Sequence, residues 1–169
     1  MKKIIVLIIA VFCFGNGYSQ TADDYLNSGL DKEILKDFKG AMADYNKSIE
    51  LNQNNKFALY MRANLKLILE DNRGAIQDYN IIISSIADSS KAEPYYNRGV
   101  AKANIDDKSG AIEDFTKAIE IDSNYAIRYY ARGLTKLLLN QKNNACLDFS
   151  KAGELGSEDA YEMIKKHCN

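Results

Sequence analysis

The sequence predicts an all-α protein, and three observations carry that prediction. One Pro in 169 residues, with heavy use of Leu, Ile, Ala, Lys, Glu and Asn, favours helix over sheet in a chain long enough to bury a core. A block recurs as Gly40-Ala-Met-Ala-Asp44-Tyr45, Gly74-Ala-Ile-Gln-Asp78-Tyr79, Gly110-Ala-Ile-Glu-Asp114-Phe115 and Asn144-Ala-Cys-Leu-Asp148-Phe149, at spacings of 34, 36 and 34 residues. A second block keeps the same period: Tyr60-Met-Arg62-Ala63, Tyr96-Asn-Arg98-Gly99 and Tyr130-Ala-Arg132-Gly133, with Leu26-Asn-Ser28-Gly29 in register before them. Two linked blocks per period mean two elements per repeat.

Residues 1–19 read as a secretory signal peptide. Lys2 and Lys3 precede an apolar run from Ile4 to Phe14, too short for the roughly 20 residues that cross a bilayer, and small Gly17 and Ser19 suit a cut after Ser19. Lipoprotein processing at Cys13 is disfavoured by bulky Phe12 before it. Cleavage removes two cations and no acid, moving the formal net charge from -1 to -3. It leaves Cys146 and Cys168 in an oxidising compartment. The expected mature domain is 20–169.

Each repeat then offers two amphipathic helices. In the second, Ala111, Ile112, Phe115, Ala118, Ile119 and Ile121 fall at spacings of three and four. In the first, a Gly inside a helix costs about 1 kcal/mol against Ala, so its return at Gly29, Gly99 and Gly133 points to a close helix crossing.

A small residue in the first helix (Gly29, Ala63, Gly99, Gly133), then Ala (Ala41, Ala75, Ala111, Ala145) and an aromatic (Tyr45, Tyr79, Phe115, Phe149) in the second, resembles the tetratricopeptide repeat. The resemblance implies a right-handed α-solenoid of four helix-turn-helix repeats, 22–55, 56–91, 92–125 and 126–159, with 160–169 as a capping partial first helix. The chain departs from the family pattern in places. Gln53, Ser123 and Ser157 replace the Pro that often ends a repeat, so side chains must cap there. Ile82 stands where Ser48, Ala118 and Ala152 stand elsewhere, which predicts looser packing in repeat two. That repeat carries two extra residues in 86–91, after which Ser90 and Glu93 resemble a capping box and Pro94 falls in a first turn.

Tetratricopeptide arrays hold a peptide segment or partner helix in a concave groove lined by first helices. Carried onto this chain, the lining is Leu26, Leu30, Phe57, Tyr60, Asn64, Leu67, Tyr96, Asn97, Val100, Ile127, Tyr130 and Leu134, with Tyr60, Tyr96 and Tyr130 as an aromatic column. Packing between repeats is the competing role for those rings. A clamp of cations for a terminal carboxylate is not expected, because the matching sites hold Leu26, Leu30, Asn64, Glu93 and Asn97. The expected stacking pairs are Asp44 with Arg62, Asp78 with Arg98, Asp114 with Arg132 and Asp148 with Lys166. Lys32, Lys66, Lys102 and Lys136 form a solvated or ion-paired row. The ending from Ala145 to Cys168 resembles exported bacterial repeat proteins, which implies a Cys146–Cys168 disulfide pinning the cap; free or metal-binding thiols are the alternative.

Balanced charge leaves no basic footprint for nucleic acid. One His, His167, offers neither a triad nor a complete metal site, and Gly-rich phosphate loops are absent, so no enzyme activity, cofactor or metal is expected. The expected function is a non-catalytic interaction module, exported to the periplasm or beyond, that binds a protein or peptide. The alternative is a scaffold or subunit of an envelope complex that assembles through its edges or convex face, its oligomeric state open.

Overall fold

The computed structural model of the protein describes residues 20–85 and 91–168. The expected signal peptide and the greater part of the 86–91 insertion, Ser90 included, lie outside the described residues; the expected capping box is corrected, because the helix that opens at Ala92 has its N-cap at Lys91 without a side-chain cap and Glu93 pairs with Arg128. Nine helices and no strand occur among the described residues: α1 Ala22–Ile34, α2 Phe38–Leu51, α3 Lys56–Ile68, α4 Asn72–Ser85, α5 Ala92–Asn104, α6 Lys108–Ile121, α7 Ala126–Leu138, α8 Lys142–Glu154 and α9 Glu158–His167. Each helix packs on the next in sequence, while α3 touches α5 and α5 touches α7. The chain is therefore a solenoid of antiparallel helix pairs, in which the first helices of the repeats, α1, α3, α5 and α7, all point the same way.

The caps follow the repeat. Thr21 opens α1 with a capping box, its hydroxyl accepting from the Asp24 N–H while the Asp24 carboxylate accepts from the Thr21 N–H at 2.8 Å. These backbone and hydroxyl hydrogen bonds hold the Asp24 carboxyl below its usual range. At the second helices, Asp37, Asp71 and Asp107 accept from the N–H of Gly40, Gly74 and Gly110 at 2.9, 3.0 and 3.0 Å. A Cβ at those three glycines would lie 2.2, 2.1 and 2.4 Å from the capping carboxylate. In repeat four Asn144 replaces the Gly and Gln141 the Asp, and the side-chain cap is lost with them. Of the three residues in the place of Pro, Ser157 caps α9 through the Ala160 N–H. Gln53 and Ser123 do not serve so: Asn55 caps α3, and α7 has Tyr125 at its N-cap without a side-chain hydrogen bond.

Each hairpin closes on a tight turn whose middle residue is left-handed: Lys36, Glu70, Asp106 and Asn140, at φ from 59° to 68°. After α8 the connection is of this same kind. Ser157 N–H donates to Ala152 O as Asp37 N–H donates to Lys32 O, with Gly156 at φ 92°. As a result α9 begins at Glu158, two residues earlier than expected.

The aromatic of every second helix is fully buried against the small residue of its partner. Added Cβ atoms at Gly29, Gly99 and Gly133 would come within 2.6, 2.7 and 2.7 Å of Tyr45, Phe115 and Phe149. The period of small residues is thus a steric requirement. Ile82 corrects the expectation of loose packing: it is buried with Leu59, Tyr79 and Ala101, and Ala101 stands where repeat two has Leu65. The smaller partner makes the room that the larger side chain needs.

Candidate functional site

Tyr60, Tyr96 and Tyr130 lie one per repeat on α3, α5 and α7, each half-buried. They lean on Tyr79, Phe115 and Phe149 with ring centroids 6.3, 5.6 and 5.9 Å apart. Each ring thus packs on the repeat core and keeps part of its surface exposed. Val100 and Leu134 are half-buried beside it, and Phe57 and Ile127, at the same place in repeats two and four, are 52% and 51% exposed. Leu26 belongs to the core of repeat one, with Ala41, Tyr45 and Ala58.

Asn64 and Asn97 are brought together. The Asn97 amide donates to Asn64 Oδ1 at 3.0 Å and to the Tyr60 hydroxyl at 3.3 Å, and the Tyr79 hydroxyl donates to the same Asn64 oxygen at 2.6 Å. Burial, reinforced by the neighbouring Tyr60, pushes the Tyr79 hydroxyl well above its usual range, so it remains a donor. Burial likewise raises Tyr96. The corresponding places between repeats three and four hold Val100 and Ala131, so this face is polar where α3 meets α5 and apolar where α5 meets α7.

The expected stacking pairs are corrected. Arg62 binds Asp78, not Asp44; Arg98 binds Asp114, not Asp78; Arg132 binds Asp148, not Asp114. Each is a bidentate fork from Nε and Nη2 with distances of 2.6 to 3.0 Å. Lys66, Lys102 and Lys136 add a second cation to the same carboxylate. The link to the preceding repeat comes from Arg Nη1, which donates to Asn46, Asn80 and Thr116. Repeat one has Ser28 in the place of the Arg, and Asp44 takes the Ser28 hydroxyl and the Lys32 ammonium, both at 2.6 Å. Burial alone would raise the Asp44 carboxyl; Lys32 and Ser28 outweigh it and leave it below its usual range. Lys166 does not meet Asp148, whose two oxygens are taken by Arg132 and Lys136.

One buried cation escaped the sequence reading. Arg128 is almost wholly buried, reaching Glu93 of the preceding first helix, the Asp122 carbonyl at 2.7 Å and the face of Tyr125 at 4.3 Å. Its place holds Ala58 in repeat two and Pro94 in repeat three, and a charge in that apolar series was the available signal. Cys146 in the second turn of α8 and Cys168 at the end of α9 are joined by a disulfide, their Cα atoms 5.7 Å apart. Met163, Ile164 and Cys168 pack on the cluster that holds Phe149 and Ala152.

No described helix is long and apolar enough to cross a membrane. A tetratricopeptide repeat family model matches residues 25–55 and 92–125. A TPR repeat-containing protein of Methanocaldococcus jannaschii is 29% identical over 122 residues, covering 72% of this chain and 20% of that protein, so the chain spans about a fifth of its relative's length. Among solved structures, MamA is 28% identical with a TM-score of 0.79, covering 85% of this chain and 78% of that one. YrrB, described as a TPR protein with an unusual peptide-binding site, is 20% identical with a TM-score of 0.77, covering 86% and 74%. With the 34-residue period, the buried small-residue and aromatic crossings and the serial helix pairs, the chain is a solenoid of tetratricopeptide repeats.

Proposed function

We propose that the protein is an exported interaction module that holds a segment of a partner protein against the face formed by α3, α5 and α7. The observation that carries this reading is the half-uncovered Tyr60, Tyr96 and Tyr130 column flanked by the exposed side chains of Phe57 and Ile127. Aromatic rings give large contact area at low conformational cost, and a preformed helical scaffold loses little freedom on binding. The hydrogen bonds of the Asn64 and Asn97 pair use one end of each amide, and the other ends, a donor and an acceptor, suit a peptide group. Apolar side chains of the segment then lie over Val100, Ile127, Tyr130 and Leu134. The same fold serves peptide binding in YrrB. Export rests on the leader-like residues 1–19 and on the Cys146–Cys168 bond, which suits an oxidising compartment.

The test is selection of a displayed random-peptide library on the protein from residue 20 onward, followed by affinity measurement with one enriched peptide. Phe57→Glu and Ile127→Glu alter exposed side chains and so spare the fold, whereas Tyr96→Ala removes the column at its centre. Each is expected to weaken the peptide at least about tenfold, equal to about 1.4 kcal/mol. Enrichment of nothing, or equal binding by all three variants, refutes the groove.

A further inference from the structure

The first helices end, one per repeat, in large aliphatic side chains that the fold leaves uncovered: Ile34 and Leu35, Ile68 and Leu69, Ile105, and Leu138 and Leu139, between 36% and 79% exposed. Because the first helices all point the same way, these seven side chains line one edge of the solenoid, the edge of the tight turns. Neighbouring turns are close enough for the Asn104 amide, at the end of α5, to donate to Asn72 at the start of α4 at 2.9 Å. The row recurs at the end of every first helix along the array. Ile34, Ile68 and Leu138 stand one helical turn beyond Leu30, Asn64 and Leu134, so the row adjoins the far end of the face that carries the tyrosine column.

We infer that this edge is where two copies of the chain pair, antiparallel about a two-fold axis. Size is the first argument. At roughly 100 Å² of apolar surface each, seven side chains expose on the order of 700 Å². That exceeds the ~300–600 Å² of the largest patch on a typical monomer and approaches the ~800 Å² each partner gives to a standard interface. Self-complementarity is the second. The two ends of the row each carry an aliphatic pair, so reversal about a two-fold sets Ile34 and Leu35 on Leu138 and Leu139, and Ile68 and Leu69 on Ile105.

The experiment is sedimentation equilibrium of the protein from residue 20 onward, over a series of concentrations and with the disulfide intact. Leu35→Lys and Leu138→Lys alter exposed residues, and Leu147→Lys, at a site 70% exposed on α8, serves as the control away from the edge. The expected result is a mass that rises from one copy to two with concentration. Both edge variants should shift the dissociation constant up by at least about tenfold while Leu147→Lys and Tyr96→Ala leave it in place. A single-copy mass at every concentration overturns the inference, as does a dimer indifferent to the edge variants or one equally lost in Leu147→Lys. A monomer whose edge captures a different protein also overturns it.

Discussion

The contact between Gly99 and Phe115 supports a quantitative prediction, because the same substitution at a second glycine should change stability with the opposite sign. Replacing Gly99 by Ala adds one methyl group in the middle of α5. Helix propensity alone favours Ala by about 1 kcal/mol. The new Cβ, however, would stand 2.7 Å from Phe115 Cε1, 2.9 Å from Cδ1 and 3.3 Å from the Ala111 carbonyl oxygen. Phe115 is fully buried and the third neighbour is backbone, so neither can move aside at little cost. Overpacking of a closed core costs about 1–3 kcal/mol, which leaves Gly99→Ala destabilised by roughly 1 kcal/mol. At Gly153 the nearest neighbour of an added Cβ is Tyr161 Cε1 at 3.0 Å, on a ring that is mostly solvent-exposed. That ring gives by a few tenths of an ångström, and Gly153→Ala keeps most of the helical gain. In thermal unfolding followed by circular dichroism, Gly99→Ala should melt about 2–4 °C below the wild type, with Gly153→Ala above it. A midpoint raised equally by both would show that the small residues are not there for the crossing.

Two further predictions concern the ionic and covalent ties. Double-mutant cycles by urea unfolding should give Arg98→Met a coupling of at least about 1 kcal/mol with Asp114→Asn and almost none with Asp78→Asn; the reverse would restore pairing between repeats. Intact protein should be lighter than its reduced form by two hydrogens. Reduction should lower stability by about 3 kcal/mol in the chain-entropy model and expose the amides of α9 to hydrogen exchange first, and unchanged protection would mean that packing alone holds the cap.

The fold was legible because a packing constraint recurs at a fixed interval: a Gly or Ala opposite a buried ring leaves its mark in every repeat. The ion pairs were not, and the period is the reason. Asp44, Asp78, Asp114 and Asp148 occupy equivalent places, so spacing alone cannot say whether Arg98 turns to the Asp before it or the Asp after it. Side-chain direction decides, since Nε and Nη2 face the helix closing the same hairpin while Nη1 reaches back to Asn80. The tyrosine column was placed from the family resemblance, yet its hydrogen-bonded Asn64 and Asn97 depend on a juxtaposition 33 residues apart that no pattern announces. The aliphatic edge went unread because Ile and Leu at helix ends look like core until their exposure is known.

The left-handed turn residues bear on how much change the array can absorb. Glycine takes that conformation without strain, whereas an ordinary L-residue gives up roughly 1 kcal/mol there, somewhat less for Asp and Asn. Lys36 and Glu70 hold it at φ 60° and 62°. The molecule therefore keeps an untapped margin of stability at its surface turns, far from the tyrosine column. Glycine at either site would leave room for a destabilising exchange at the tyrosine column, so that face can diversify while the helices beneath it stay as they are.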